Sequence, residues 1–321
     1  MLDILGLILP LFGLILLGYA GARLSSQPIE AMGWLHTFIL YFALPALFFK
    51  LLANTPIEQL ASWSFIGTNI AITFAVFALT FACGMFASGR KIADATVQGL
   101  AGAYGNIGYM GPAIAILAFG EAAAIPVAII FCFENILHFA LAPALMALSG
   151  QKTQPTHRLI LDTVIKVVTH PLILATGAGA LAAALRLSPP VPLERLIDYL
   201  AQAAAPCALF AMGVTLALRP LRRVPVALGY IVPIKLVVHP TLMYFGLSYF
   251  GNFDALWVFV AVLLAALPTA TNVFVIAQQY DVWVERASAS VLVTTSLSVV
   301  TVALLLYGIT NGAIPPDFFP G

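Results

Sequence analysis

The sequence predicts an all-α polytopic membrane protein of ten transmembrane helices, built as two inverted five-helix repeats in which helices four and nine are broken and cross. Three observations predict it. The 321-residue chain is 62% hydrophobic and only 8% charged, with a mean hydropathy of +1.03, whereas a soluble domain carries about 25% charged residues. Its apolar residues run in ten segments close to the ~20 residues needed to cross a bilayer. Breaks made of Gly, Pro and polar residues also recur in the two halves at an offset of about 160 residues.

The spans are taken in order. The first, 2–22, has no basic leader and no A-x-A site, so it reads as a retained helix and not as a cleaved signal. The second, 31–53, carries Pro45, which lies 35 residues after Pro10, and then Lys50. The third is 63–88. The fourth, 95–118, is interrupted by YGNIGYMGP, Tyr104 to Pro112. The fifth, 122–148, holds Glu134, Asn135 and His138 and closes the first repeat, 1–148. A polar cytoplasmic linker, 149–157, leads to the second repeat, 158–321. There the sixth span, 158–185, contains Pro171, and the seventh, 194–217, contains Pro206, again 35 residues on. The eighth, 225–249, contains KLVVHP, Lys235 to Pro240, which repeats the KVVTHP of Lys166 to Pro171. The ninth, 254–278, is interrupted by LPTATN, Leu267 to Asn272; the tenth is 285–310.

Loop charges set the orientation. Arg23, Arg90, Lys91, Lys152, Arg158, Arg219, Arg222, Arg223 and Arg286 fall on one side, and only Arg186 and Arg195 on the other. The basic side is cytoplasmic, so both termini face outward. Five spans per half force the second half to enter the membrane in the opposite sense, which makes the repeat an inverted one with its axis in the membrane plane.

Matched breaks of this kind point to a secondary transporter and to its binding site. Gly weakens a helix and Pro removes a donor, and the freed backbone groups must be buried in protein or line a wet cavity. Half-helix N-termini at a crossing suit an anion. Asn106, Tyr109, Pro268, Thr269, Thr271 and Asn272 are the candidate substrate-binding residues there. The alternative is an ordinary kink with small residues for close helix packing.

FALPALFFKLLANTP (Phe42 to Pro56), NIGYMGPAIAILAFG (Asn106 to Gly120) and ALPTATNVFVIAQQY (Ala266 to Tyr280) resemble the auxin efflux carrier family, and the resemblance runs through essentially the whole chain. It implies the ten-helix inverted fold, a scaffold and a transport domain each built from both repeats, and carriage of organic anions by elevator-like alternating access. Gly105 stands where plant members have a proline before Asn106, and the long cytoplasmic loop between spans five and six is missing. Both departures favour the bacterial permease branch, whose members resemble malonate and malate carriers, in the inner membrane.

Ionisable residues inside spans are functional candidates by default. Glu134, with His138 at i+4 and Asn135 beside it, is either a protonation site coupled to transport or a structural Glu134–His138 hydrogen bond. Lys50 either binds a substrate carboxylate or snorkels to the headgroups. Lys235 needs a partner: a carbonyl at a break, Glu134, or a bound anion. Lys166 and Asp162 read as a surface salt bridge. His170 and His239 have no Cys, Asp or Glu at ligand spacing, so no metal site is expected. The hydroxyls of span ten, Ser288, Ser290, Thr294, Thr295, Ser298 and Thr301, either allow close packing or build a Na⁺ site.

No H-E-x-x-H, G-x-S-x-G, mid-membrane Asp pair or nucleotide loop is present, so the chain is not read as an enzyme. Rings of like charge for a channel, or a signalling domain for a receptor, are missing as well. The expected function is secondary transport of a small mono- or dicarboxylate without a cofactor, with H⁺ as coupling ion and Na⁺ as the alternative. An auxin-like exporter or uniporter is the other carrier reading. Expected partners are the organic anion, membrane lipid and, as an open possibility, a second copy in a homodimer; a net charge of +1 gives no argument for nucleic acid.

Overall fold

A computed structural model describes residues 2–25, 27–55, 62–150, 161, 165, 168–218, 225–251 and 253–318. Among them the chain is helical, with no strand; one isolated β-bridge joins Gly105 and Thr269. The helices are α1 (Leu2–Ser25), α2 (Gly33–Phe38), α3 (Leu44–Ala53), α4 (Trp63–Ala87), α5 (Ile92–Ala103), α6 (Met110–Phe119), α7 (Ala124–Leu148), α8 (Pro171–Ala184), α9 (Val191–Leu218), α10 (Leu228–Pro233), α11 (His239–Phe250), α12 (Ala255–Ala266), α13 (Thr271–Tyr280) and α14 (Val284–Thr310). Six helical stretches among the described residues are long and apolar enough to cross a membrane: Glu30–Ala53, Trp63–Ala87, Glu121–Leu148, Val191–Leu218, Leu228–Phe250 and Val284–Thr310.

Two of those stretches change pitch at a proline. A π-helical turn, Ile39–Ala43, precedes Pro45, and another, Ile234–Val238, precedes Pro240. A proline within a helix cannot donate to the carbonyl four residues back, and its ring presses on that carbonyl. A wider turn absorbs the misfit without ending the helix. The matched prolines of the sequence do not play matched parts. Pro10 and Pro206 sit inside α1 and α9, Pro171 opens α8, and Pro45 follows a π-turn. Lys166, Asp162, linker residues 151–157 and five of the basic loop residues (Lys152, Arg158, Arg219, Arg222, Arg223) lie outside the described residues.

The chain divides into two compact units, each drawing on both halves of the sequence. The first comprises Met1–Trp63, Gly108–Cys132 and Val168–Pro220; the second comprises Ser64–Ile107, Phe133–Val167 and Leu221–Gly321. In the first, α1 packs on α9 and α3 on α8. The α1–α9 approach depends on glycine. A Cβ on Gly18 would lie 2.1 Å from the carbonyl oxygen of Phe210, and one on Gly213 would lie 1.9 Å from that of Ile15. Small residues let backbones meet where lipid supplies no hydrophobic drive. In the second unit, Val76, Phe77, Leu100, Tyr104, Ile231, Val273 and Ala277 belong to one buried apolar cluster. Large apolar side chains such as Trp34, Phe86 and Tyr249 are exposed, while Glu134, His138, Lys235 and His239 are buried. That inversion of the usual soluble pattern suits a bilayer as solvent.

Candidate functional site

The site is built where two helices stop short. At ~1.5 Å per residue, α5 and α12, with 12 residues each, reach about 18 Å, well under the ~30 Å of a hydrocarbon core. After α5, Tyr104 is extended (φ −77°, ψ 99°), and six residues pass before α6 begins at Met110. After α12, Leu267 is extended (φ −64°, ψ 150°), as a residue before proline prefers, and α13 resumes at Thr271.

The two breaks satisfy each other. The Asn106 N–H donates to the Pro268 carbonyl at 2.8 Å, and the Ala270 N–H donates to the Tyr104 carbonyl at 2.9 Å, forming a short antiparallel bridge. Thr269 pins the bridge to its surroundings. Its N–H donates to Thr294 Oγ1 at 3.1 Å, and its hydroxyl donates to the Ala101 carbonyl at 2.7 Å. Backbone groups that could not face lipid are thereby paired within the protein. Around the bridge, Asn272 Nδ2 donates to the Tyr104 hydroxyl at 2.8 Å, and that hydroxyl donates to Asn135 Oδ1. Asn106 and Thr269 are buried, whereas Thr271 and Asn272 are half-buried at the start of α13.

A set of fully buried ionisable residues lies in the same unit. The Glu134 carboxylate accepts a bond from Thr73 Oγ1 at 3.1 Å. His138 does bond to residue 134, but through its Nδ1 to the backbone carbonyl at 2.7 Å, and not to the carboxylate as the helical spacing suggests. The Tyr104 ring stacks on the His138 imidazole, with centroids 4.2 Å apart and planes 8° from parallel. Lys235 Nζ donates to the Ala265 carbonyl at 2.6 Å and lies 3.0 Å from His239 Nδ1. Of the three partners expected for Lys235, the direct one is therefore the carbonyl at a break. Ala265 is the penultimate residue of α12, where carbonyls have no intrahelical donor and a cation is favoured. A Cβ on Gly105 would lie 3.3 Å from Lys235 Nζ, so the ammonium stands directly behind the bridge.

Two predicted residues fall elsewhere. Tyr109 is half-buried and belongs to the first unit. Lys50 also belongs to the first unit and pairs with Asp198 at 2.9 Å, in a cleft of ≈370 Å³ shared with Arg186 and Glu194. The hydroxyls of Ser290, Thr294, Thr295 and Ser298 are buried and donate to carbonyls of α14 itself, which fits close packing. Tyr104, Thr73 and His239 carry bonds in the cluster and were not among the predicted site residues. The Lys235–His239 spacing and the place of Tyr104 at the start of the first break are the signals that could have found two of them.

Paired half-helices closed by a buried bridge, with polar side chains gathered at it, define a helical membrane transporter. The chain matches the family described as "Membrane transport protein" over residues 3–306 and belongs to that family, the auxin efflux carriers its motifs resemble. Among its relatives is a protein of Rhizobium meliloti (strain 1021) named "Putative malonate transporter", 62% identical over 320 residues and covering 100% of both chains. The "Uncharacterized transporter YfdV" of Escherichia coli (strain K12) is 25% identical over 313 residues, 94% of this chain and 96% of that one. The family and these relatives are transporters, not enzymes.

Proposed function

We propose that the protein is a secondary carrier of a small mono- or dicarboxylate of the malonate type, working by alternating access in the inner membrane with both termini outside. Ten spans in two inverted five-helix repeats are part of this reading. The antiparallel bridge between the two breaks is the observation that carries it, because chain segments from equivalent places in the two halves meet there in opposite senses. Asn106, Thr271 and Asn272 are the proposed substrate contacts, with the Pro268 and Thr269 backbone and the Thr269 hydroxyl serving as the frame. Lys50 is left out of the contacts because its ammonium is engaged by Asp198. The name of the Rhizobium meliloti relative supports malonate as the first substrate to try.

Protons are the proposed coupling ion. At the bridge, a carbonyl that a sodium ion would use is taken by the Lys235 ammonium, and Glu134 and two imidazoles are buried in the same unit. The test is uptake of labelled mono- and dicarboxylates, malonate first, by proteoliposomes of the purified protein under an imposed H⁺ or Na⁺ gradient. Proton-driven uptake is expected. Uptake driven by sodium alone would assign the coupling to Na⁺, and no uptake of any mono- or dicarboxylate would overturn the carrier reading. Asn106→Ala is expected to lower uptake by about a hundredfold, as loss of a buried hydrogen-bonding group in a binding site does, with membrane abundance intact. Glu134→Gln is expected to flatten the pH profile of uptake; an unchanged profile would remove Glu134 from coupling.

A further inference from the structure

The cleft beside Lys50 has no part in the proposed carrier site, and it holds charges of both signs. Three apolar helices of the first unit meet there at their ends: α3, which stops at Ala53, α8, which stops at Ala184, and α9, which starts at Val191. In the proposed orientation this is the outer face of the membrane. The cleft volume of ≈370 Å³ falls within the ~300–1,000 Å³ of small-molecule sites. Lys50 and Asp198 pair inside it. Arg186 and Glu194 also line it, and their side chains have no ion-pair or hydrogen-bond partner among the described residues. Two cations and two carboxylates sum to zero, so the cleft gives a dicarboxylate no net attraction. It leaves one guanidinium and one carboxylate to be answered by a ligand that carries both signs.

The backbone singles out Arg186. It adopts the left-handed conformation, with φ 52°, just past the end of α8. Its N–H donates to the Ala183 carbonyl at 3.1 Å, and the Leu187 N–H donates to the Ala182 carbonyl at 2.9 Å, which closes the helix end. Glycine is the usual residue at such a position, because a Cβ there crowds the following carbonyl. An arginine that breaks this preference while its charge stands in a cleft points to a use for the side chain. Its surroundings say what else the ligand carries. Leu185 and Leu187 flank Arg186, Val191 and Leu193 open α9, and all four are exposed. Exposed apolar side chains beside a charged cleft at the ends of apolar helices suit a molecule with a hydrocarbon tail and a charged head. We propose that the cleft binds the headgroup of an aminophospholipid, a phosphodiester and a primary ammonium in one molecule. Arg186 takes the phosphate through its planar fork of donors, and Ser188, which also lines the cleft, adds a hydroxyl. Glu194 takes the ammonium, and the Lys50–Asp198 pair stays closed beside it. The acyl chains lie along the exposed leucines.

The test uses the full-length protein, stripped of lipid in detergent and titrated with phosphatidylethanolamine or phosphatidylglycerol, with bound lipid counted by native mass spectrometry. One phosphatidylethanolamine per chain is expected, held about tenfold more tightly than phosphatidylglycerol, the worth of one charge-assisted contact. Arg186→Gly separates binding from folding, because glycine accepts the left-handed backbone. It should weaken phosphatidylethanolamine about tenfold or more while the unfolding midpoint without lipid stays level or rises. Arg186→Asn, which also tolerates this conformation, should read the same way. Glu194→Gln should abolish the preference for phosphatidylethanolamine and leave a site that takes either lipid. Equal retention of the two lipids by wild-type protein, or undiminished phosphatidylethanolamine binding in both Arg186 variants, overturns the site. Displacement of the lipid by an equal concentration of soluble glycerophosphoethanolamine overturns the lipid as the source and assigns the cleft to the free headgroup. Malonate transport does not enter the readout, so the carrier reading stands or falls separately.

Discussion

The cleft around Lys50 in the first unit and the cluster around Lys235 in the second each hold a lysine inside an apolar span. Lys50 meets a carboxylate, Asp198, with about a third of each side chain exposed. Lys235 has no exposed surface, and its direct bonds go to neutral groups, a backbone carbonyl and an imidazole. The difference lies in what each helix offers nearby. A lysine near water can use a flexible carboxylate at little cost or gain. A fully buried ammonium needs fixed acceptors, and the end of α12 supplies one because the break leaves the Ala265 carbonyl without a helical donor. The broken helix thus creates the socket that allows a cation to stand at the bridge.

The most direct way to break this comparison is Lys235→Met. The side chain keeps most of its length, but the Ala265 carbonyl loses its donor and His239 Nδ1 loses its partner. Unpaired buried groups of this kind predict a loss of about 3 kcal/mol, read as a lower unfolding midpoint in detergent, together with loss of malonate uptake. An unchanged midpoint would mean that the carbonyl is satisfied some other way and that the socket is not structural.

Thr269→Val sharpens the same point with a smaller effect. The substitution keeps the branched shape and removes the hydroxyl that donates to the Ala101 carbonyl. The expected loss is about 1–2 kcal/mol, because the backbone bonds of the bridge, Asn106 to Pro268 and Ala270 to Tyr104, remain. A loss as large as that of Lys235→Met would make Thr269, and not the backbone pairing, the main tie between the breaks.

The sequence made the breaks legible because glycine and proline mark them directly: Gly105 with Asn106, and Pro268 with Thr269. Helical character followed from the apolar runs, and Glu134 stood out as a carboxylate in the middle of one. Partners across space did not show. Thr73 looks like an ordinary residue of an apolar span and Tyr104 like the mere edge of a break, and only the packing of α4, α5 and α7 makes one a donor to Glu134 and the other a ring over His138. Helical spacing put His138 beside Glu134 but could not say that its ring would turn to the carbonyl. The KLVVHP motif placed Lys235 and His239 on one face, and the π-helical turn from Ile234 to Val238 was hidden within it. A wide turn is a response to Pro240 in its packed setting, so no local pattern announces it.

Lys50→Met is the gentlest test and separates the two lysines most cleanly. A partly exposed ion pair contributes under about 1 kcal/mol, so the unfolding midpoint should barely move, and Asp198 is left near enough to water to be solvated. Raising the salt concentration should remove what little difference there is, because screening acts on exposed charges. Transport gives the sharper reading. If Lys50 belongs to the Asp198 cleft alone, malonate uptake by Lys50→Met keeps the wild-type KM, and Asp198→Asn behaves in the same way. A KM raised by about tenfold or more in Lys50→Met, with Asp198→Asn lowering it, would show that the ammonium leaves its carboxylate for the substrate. The cleft would then be a station for the anion in its own right.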